Sequence, residues 1–297
     1  MMNLIIAINE KYIEPAKTML YSLACQQKEE LIIYLLQSSI CEEKLEELDN
    51  FIHMKCHGKL NVICIDKDIF TNVPINKWWT EETYYRLISF ELLPKDVKRV
   101  LWLDADIIVK GNISELYRQP FDENYAVVCA EDTKKNHLRL GLSDEHRYFN
   151  AGVMLFNFEA IRRDFTVQDI FDCIEQYREH LDALDQDVLN VLFENRVKYV
   201  DASVYNNETL GFNILNRKKM TELKDTARII HFIGSMKPWN YKGANWADRY
   251  WWEYEKGRGG RTVPYLKYRL LNASVKLWYY MREGYYIILG QINKVRK

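Results

Sequence analysis

No stretch of the 297-residue chain reaches the roughly 18 consecutive apolar residues that a membrane-spanning helix needs. The N-terminal run Leu4–Ile8 is apolar, yet Asn9, Glu10 and Lys11 end it far short of a signal peptide. Paired cysteine spacings are missing too. Cys25, Cys41, Cys56, Cys64, Cys129 and Cys173 are scattered, several inside apolar runs where a free thiol behaves as a small hydrophobe. That usage predicts a reducing compartment, and so a cytoplasmic protein. His53, Cys56 and His57 lack further ligands at zinc spacing and read as a polar helix end. The net charge of −1 excludes a general nucleic-acid binder. No internal repeat or low-complexity tract is present. No Gly-x-Gly-x-x-Gly follows the first apolar run, which argues against a dinucleotide site.

What is present is an ordinary globular composition, 48% hydrophobic and 28% charged, in a chain long enough to bury a large core without disulfides. Short apolar runs alternate with helical patterns. Leu4–Ile8, Leu31–Leu36, Leu60–Ile65 and Val100–Leu103 read as buried strands. Ala16, Met19, Leu20 and Leu23, then Leu45, Leu48 and Ile52, fall at helical spacing. This alternation predicts an α/β fold with a mixed, mostly parallel sheet flanked by helices. Further on, Tyr125–Ala130, Gly152–Phe156 and Arg228–Phe232 read as strands and Asp185–Phe193 as a helix. The polar loop Thr133–Arg147 reads either as a mobile lid or as a solvated connection.

Asp104-Ala105-Asp106 follows the strand Val100–Leu103 at its carboxyl end, where open α/β sheets bind ligands. Two acids one residue apart can reach one hard cation, and Mg²⁺ or Mn²⁺ takes such carboxylates together with substrate phosphates. An inert exposed loop is the alternative. Later, His231 stands at the end of a strand and reads either as a further ligand of the cation or as a satisfied core histidine. Gly234 after it allows close backbone approach to a phosphate, and Lys237 supplies a point charge. Arg86 follows Glu81 and Glu82 and reads either as a helix-surface partner of Glu82 or as a site residue. Asp185 and Asp187 read as a capping pair for the helix they open, and for Asp187 that structural reading is preferred.

Four ordered strings resemble glycosyltransferase family 8: Leu-Asp-Ala-Asp (103–106), Tyr-Phe-Asn-Ala-Gly-Val (148–153), Asp-Gln-Asp-Val-Leu-Asn (185–190) and His-Phe-Ile-Gly-Ser-Met-Lys-Pro-Trp (231–239). Ala7–Tyr12 and Thr83–Leu87 fit as well, so the resemblance covers roughly residues 3–250. Within the family the chain is similar to bacterial lipooligosaccharide α-galactosyltransferases and, more distantly, to glycogenin. The resemblance implies a GT-A fold, Mn²⁺ (or Mg²⁺) dependence, and transfer of galactose or glucose from a UDP-sugar with retention of configuration. It implies Asp104, Asp106 and His231 as metal ligands, and Ala7, Asn9 and Tyr12 as the uridine pocket. Gly234 and Lys237 would contact the diphosphate. Arg86, Asn150, Ala151, Asp185 and Gln186 would surround the donor sugar. Asn9 stands where the galactosyltransferase type carries Asp, and its amide oxygen still accepts from the uracil N–H.

The chemistry asks for the same groups. Departure of UDP puts negative charge on the β-phosphate, which a cation and Lys237 stabilise. The sugar passes through an oxocarbenium-like state. The residue matching a nucleophile position is Gln186, a poor nucleophile, which favours front-face attack by the acceptor hydroxyl while Asp185 holds sugar hydroxyls. The acceptor would be an oligosaccharide, glycolipid or glycoprotein. A sugar-nucleotide-forming nucleotidyltransferase would need a glycine-rich loop where Ala7-Ile8-Asn9-Glu10-Lys11 stands. A non-catalytic carbohydrate-binding relative is the other alternative.

From Lys256 to Lys297 ten Lys or Arg face the single acid Glu283, a local charge of +9 that leaves −10 on the preceding 255 residues. This sets a catalytic domain, 1–255, apart from a basic tail, 256–297, with Gly257–Gly260 as a hinge. Tyr265, Tyr268, Trp278, Tyr279, Tyr280, Tyr285 and Tyr286 interleave with the basic residues. That mixture suits an anionic membrane surface, a peripheral attachment to the inner face of the cell membrane. The alternative is a helical tail packed on the catalytic domain. Nucleic acid fits the tail's charge but not the rest of the chain.

Overall fold

Two buried apolar runs and a third strand build the N-terminal part of the sheet, with two amphipathic segments between them. The third strand is largely exposed, not the buried strand expected at Leu60–Ile65. Met2–Ala7 (β1), Leu31–Gln37 (β2) and Gly58–Cys64 (β3) are strands, with helices Ile13–Gln26 (α1) and Glu42–Cys56 (α2) between them. The computed structural model describes residues 1–74, 81–130, 136–209, 221–235, 237–240 and 247–260. In α1, Ile13, Ala16, Leu20 and Leu23 form one buried stripe at i, i+3, i+4 spacing. Residues of β2 are buried at every position but Ile32, as befits a strand covered on both faces. His57 ends α2 in the left-handed conformation (φ 49°), so His53, Cys56 and His57 do lie at a helix end.

The later strands are Arg99–Leu103 (β4), Ile107–Val109 (β5), Ala126–Ala130 (β6), Phe149–Asn157 (β7), Val197–Val200 (β8), Asn207–Glu208 (β9) and Ile229–His231 (β10). A seven-stranded sheet runs β3-β2-β1-β4-β7-β6-β8. β7 is antiparallel to both of its neighbours and every other pairing is parallel. The period-2 geometry of strands divides its side chains cleanly. Leu4, Ile6, Leu101 and Leu103 join the core under α1 and α2. Ile5, Val100 and Trp102 join the opposite core with Tyr84, Tyr85 and two further helices, Val167–Tyr177 (α3) and Asp185–Leu192 (α4).

A second sheet, β5-β10-β9, leaves the first at the end of β4. Its third core holds Ile230 and Phe232 against Trp251 and Trp252 of the helix Asp248–Gly257 (α5). Arg258, just beyond α5, donates to Thr18, Glu255 and Glu14, all at 2.8–2.9 Å, which fastens that end of the chain to α1. The basic tail beyond Gly260, with its interleaved aromatics, lies outside the described residues. No described helix is long and apolar enough to cross a membrane.

Candidate active site

Four apolar residues, Val100–Leu103, drive β4 into the sheet between β1 and β7, and the chain then turns through Asp104 and Asp106 into the second sheet. The turn is pinned on both sides. The Asp104 N–H donates to the Gly152 carbonyl of β7, and the Asp106 carbonyl accepts from the Phe232 N–H, each at 3.0 Å. Antiparallel pairing of β10 with β5 sets His231 opposite Ile107 and so beside Asp106. His231 Nε2 lies 3.1 Å from Asp106 Oδ1 and 3.8 Å from Asp104 Oδ2. These three residues offer ligand atoms within 4.8 Å of one another, the only such group among the described residues.

Two observations test whether a cation suits them. Asp106 Oδ1 is buried and, apart from His231 Nε2 at 3.1 Å, has no hydrogen-bond partner, a shortfall that a bound cation would remove. A Cβ on Gly152 would stand 2.2 Å from His231 Cε1 and 2.9 Å from Asp104 Oδ2, so the missing side chain is what lets these two approach. The donor set of two carboxylates and one imidazole suits a divalent ion such as Mn²⁺ or Mg²⁺.

The surroundings set the charge state. Burial opposes ionisation of Asp106, but Lys237 and His231 outweigh it and hold the carboxyl well below its usual range. Burial likewise opposes protonation of His231, and here Asp106 prevails and raises the imidazole above its ordinary value. Lys237 bonds the Asp106 carboxylate and also the Phe232 carbonyl, the latter at 2.7 Å. Gly234 takes a positive φ of 78°, which only glycine adopts freely, in the turn that brings Lys237 back to Asp106.

Arg86 organises the other side. It projects from a 3-10 segment, Glu81–Ile88, and lies over the Trp102 ring, 4.3 Å from its centroid. Its guanidinium meets Asp104 at 3.0 Å, Asp185 at 2.7 Å and the Ala151 carbonyl. It therefore does not serve as a surface partner of Glu82. Trp102 adds an indole N–H to Asp104 Oδ1 at 2.8 Å. Burial pushes Asp185 up to about 7, with Arg86 acting against a further rise. Gln186 Oε1 accepts from the Ala151 N–H and from Asn150 Nδ2, at 3.0 and 3.2 Å.

At the far end, Ala7 closes β1, and Asn9 caps the turn Glu10–Tyr12 by accepting from the Lys11 N–H. Tyr12 meets Trp239 edge-on at 6.0 Å, and Trp239 rests on Trp251 of α5. Burial raises the Tyr12 hydroxyl above its ordinary value, with Lys237 acting against the rise and Asp106 and Asp104 adding to it. The structure thus gathers the expected residues along the carboxyl edge of the sheet.

Two sequence readings need correction. Asp185 and Asp187 do not cap α4: Leu184 holds the cap position at φ 43°, with no side-chain cap bond. Asp187 is fully buried and accepts from the Asp182 and Ala183 N–H groups, Tyr148 and Arg139. The described part of the polar loop is not simply solvated, because Arg139 and His146 dock onto α4 through Asp187 and Asn190. Four participants escaped the sequence reading: Gly152, Trp102, Tyr148 and Asn206. Gly152 and Tyr148 stood inside a quoted motif, but Asn206 carries no signal of its own.

Comparison with known proteins agrees with this geometry. Residues 3–243 match the family described as glycosyl transferase family 8. Over 270 residues the chain is 27% identical to a lipopolysaccharide 1,2-glucosyltransferase of Escherichia coli, covering 88% of this chain and 79% of the relative. It is 31% identical over 197 residues to a lipopolysaccharide 1,3-galactosyltransferase of Salmonella typhimurium, which spans 64% of this chain and 58% of that one. The solved galactosyltransferase LgtC, in complex with donor and acceptor sugar analogues, overlays with a TM-score of 0.75 at 22% identity, covering 86% of this chain and 96% of that one. The chain thus has a GT-A fold, with three residues at its edge that could hold a divalent ion. The chain belongs to glycosyl transferase family 8.

Proposed function

We propose that this protein moves a hexose, galactose or glucose, from a UDP-sugar to a hydroxyl of a lipopolysaccharide-type or other cell-surface glycan, with retention of configuration. The observation that carries this reading is the Asp104–Asp106–His231 group, with Asp106 and His231 buried, Asp104 partly exposed and Lys237 beside it, in a chain of this family. The acceptor class is suggested by the relatives, whose names are those of lipopolysaccharide glucosyl- and galactosyltransferases.

Asp104, Asp106 and His231 would hold a divalent ion, which would supply positive charge to the departing diphosphate. Lys237 moves from Asp106 onto a phosphate oxygen and neutralises charge as the bond to the sugar breaks. Ala7, Asn9 and Tyr12 receive the uridine. Arg86, Asp185, Asn150 and Ala151 hold the sugar. Both lone-pair directions of Gln186 Oε1 meet N–H donors, which supports front-face attack: the acceptor hydroxyl adds from the side that UDP leaves and gives its proton to the departing phosphate oxygen. A covalent sugar on the protein, trapped by mass spectrometry together with complete loss of turnover in Gln186→Ala, would refute this.

Catalytic residues 1–255 and a basic tail from 256 onward make up the proposed organisation. The tail binds an anionic membrane surface, keeping the enzyme at the cytoplasmic face beside a lipid-linked acceptor. Flotation of the full chain, but not of a chain ending at Gly260, with anionic vesicles is the expected outcome. Equal recovery would favour a tail packed on the catalytic domain.

The decisive experiment is UDP release from UDP-galactose, UDP-glucose and other UDP-sugars with Mn²⁺ or EDTA. Turnover of a hexose donor that EDTA abolishes is expected. No turnover of any donor with any acceptor would leave a carbohydrate-binding relative as the better reading.

A further inference from the structure

The metal-ligand candidate His231 and the sugar-side residue Gln186 are joined by an unbroken line of side chains. His231 Nδ1 donates to Asn206 Oδ1 at 2.9 Å. Asn206 Nδ2 donates to Asn150 Oδ1 at 3.1 Å, and Asn150 Nδ2 to Gln186 Oε1 at 3.2 Å. Gln186 Nε2 donates to the Tyr148 hydroxyl at 3.1 Å, which donates in turn to Asp187 Oδ1 at 2.6 Å. Every link points the same way.

That direction is fixed at several independent places. Asn150 Oδ1 also accepts from the Gly152 N–H at 2.8 Å, and Gln186 Oε1 from the Ala151 N–H at 3.0 Å. Turning either amide over would set an NH₂ group against a backbone N–H. Asp187 is fully buried and receives two backbone N–H groups and Arg139, so it stands as an acceptor and the phenol must donate to it. At the opposite end Asn206 commits its Nδ2 to Asn150, so it turns Oδ1 to His231 and Nδ1 must carry a proton toward it, while Nε2 faces the two acids. Hydrogen bonds aligned head to tail polarise and strengthen one another.

We infer that Asn206, Tyr148 and Asp187 are positioning residues that fix, as one hydrogen-bonded unit, the tautomer of His231 and the amide orientation of Gln186. The inference rests on the proposed roles of His231 toward the metal and Gln186 toward the donor sugar. Asn206 holds the ligand, Tyr148 and Asp187 hold the sugar-side amide, and Asn150 links the two ends. Neither Asn206 nor Asp187 touches substrate in this scheme.

The test uses the full chain and variants Asn206→Ala, Asn206→Asp and Tyr148→Phe. Mn²⁺ affinity is measured by calorimetry without any sugar donor, the His231 tautomer by ¹⁵N ring spectra of the metal-free protein at a pH where the ring is neutral, and kcat and KM with the UDP-sugar that the wild type accepts. Asn206→Ala weakens Mn²⁺ binding by about 10- to 100-fold and loses the protonated Nδ1 signature. Asn206→Asp keeps an acceptor for His231 but no donor for Asn150, so Mn²⁺ affinity stays within about 3-fold while kcat falls by about 10-fold or more. Tyr148→Phe lowers kcat on the same scale, with Mn²⁺ affinity and donor KM nearly unchanged. Equal loss of Mn²⁺ affinity in Asn206→Ala and Asn206→Asp, an unchanged tautomer in Asn206→Ala, or full kcat in Tyr148→Phe would overturn the inference. The spectra need neither metal nor turnover, so a wild type that transfers no sugar would count against the proposed function while the ring signals still judge the hydrogen-bonded unit.

Discussion

Adding one methyl group at Gly152 is expected to dismantle the candidate metal site while leaving the fold standing. The new Cβ would lie 2.2 Å from His231 Cε1, 2.9 Å from Asp104 Oδ2 and 3.0 Å from Asn150 Oδ1. Ordinary carbon–carbon contact is about 3.5–4.0 Å, so the first contact needs more than about 1 Å of relief. The strand cannot supply it, because β7 is paired on both sides and the Gly152 carbonyl is tied to the Asp104 N–H. The side chains must move instead, whereas metal–ligand distances tolerate only about 0.2 Å. The expected result is a loss of Mn²⁺ affinity of about 100-fold or more, about 2.7 kcal/mol, against an overpacking cost to stability of about 1–3 kcal/mol. Calorimetric titration with Mn²⁺ reads the first quantity and urea unfolding the second. Gly111→Ala serves as the control, since the three atoms nearest its Cβ would all belong to Arg228, the side-chain Cγ at 3.1 Å and the backbone Cα no closer than 3.6 Å. Wild-type Mn²⁺ affinity in Gly152→Ala would refute the reasoning.

Three further expectations follow from the same site. Arg86→Lys keeps the charge but cannot reach Asp104, Asp185 and the Ala151 carbonyl together; kcat/KM should fall by about 100-fold or more, and a change below about 3-fold would contradict the role given to its planar fork. Lys237→Met removes the cation that bonds Asp106 in the metal-free site, so Mn²⁺ alone should bind at least as tightly while donor KM rises by about 10-fold, measured by titration and kinetics; weaker Mn²⁺ binding would show the exchange to be wrong. His231 is raised by Asp106 against its burial, so in EDTA its contribution to stability is fully present below the unfolded pKa of about 6.5 and is lost as pH rises through the folded value. Mn²⁺ affinity, which needs the free imidazole, should climb over that same rise in pH, and calorimetry in which affinity is flat with pH would refute the assignment.

Much of the fold was legible because burial on both faces forces apolar runs, and those runs are where β1, β2, β4, β6 and β10 lie. The position of β7 was not. Its antiparallel insertion between β4 and β6 is a long-range pairing that leaves no local mark on Phe149–Asn157. The second sheet was invisible for a similar reason: Ile107–Val109 continues the apolar run of β4, and only the turn at Asp104 and Asp106 separates them. Site residues with charge in a motif could be read directly. Asp104, Asp106, His231 and Lys237 are examples. Those acting by absence or by orientation could not. Gly152 matters for the atom it lacks, and Asn206 for which way its amide faces. Asp187 resembled a helix cap because acids at a helix start usually are, and its real partners lie on the chain before α4 and on Arg139.

The division of the candidate metal site between two sheets has a consequence for the order in which a ribosome delivers it. Asp104 and Asp106 leave the ribosome with β4, yet the strand that brings His231 is β10, and Lys237 follows later still. Domains form from the N-terminal side during synthesis, at about 5–20 residues per second. For that interval the nascent chain carries two neighbouring acids, one steadied by Arg86 and Trp102, with no imidazole to complete the set. A translation product cut short before Ile229 would hold the larger part of the sheet and two of the three candidate ligands, without His231 and Lys237. Competence is therefore acquired late, when β10 pairs with β5 and α5 seals its tryptophans behind it.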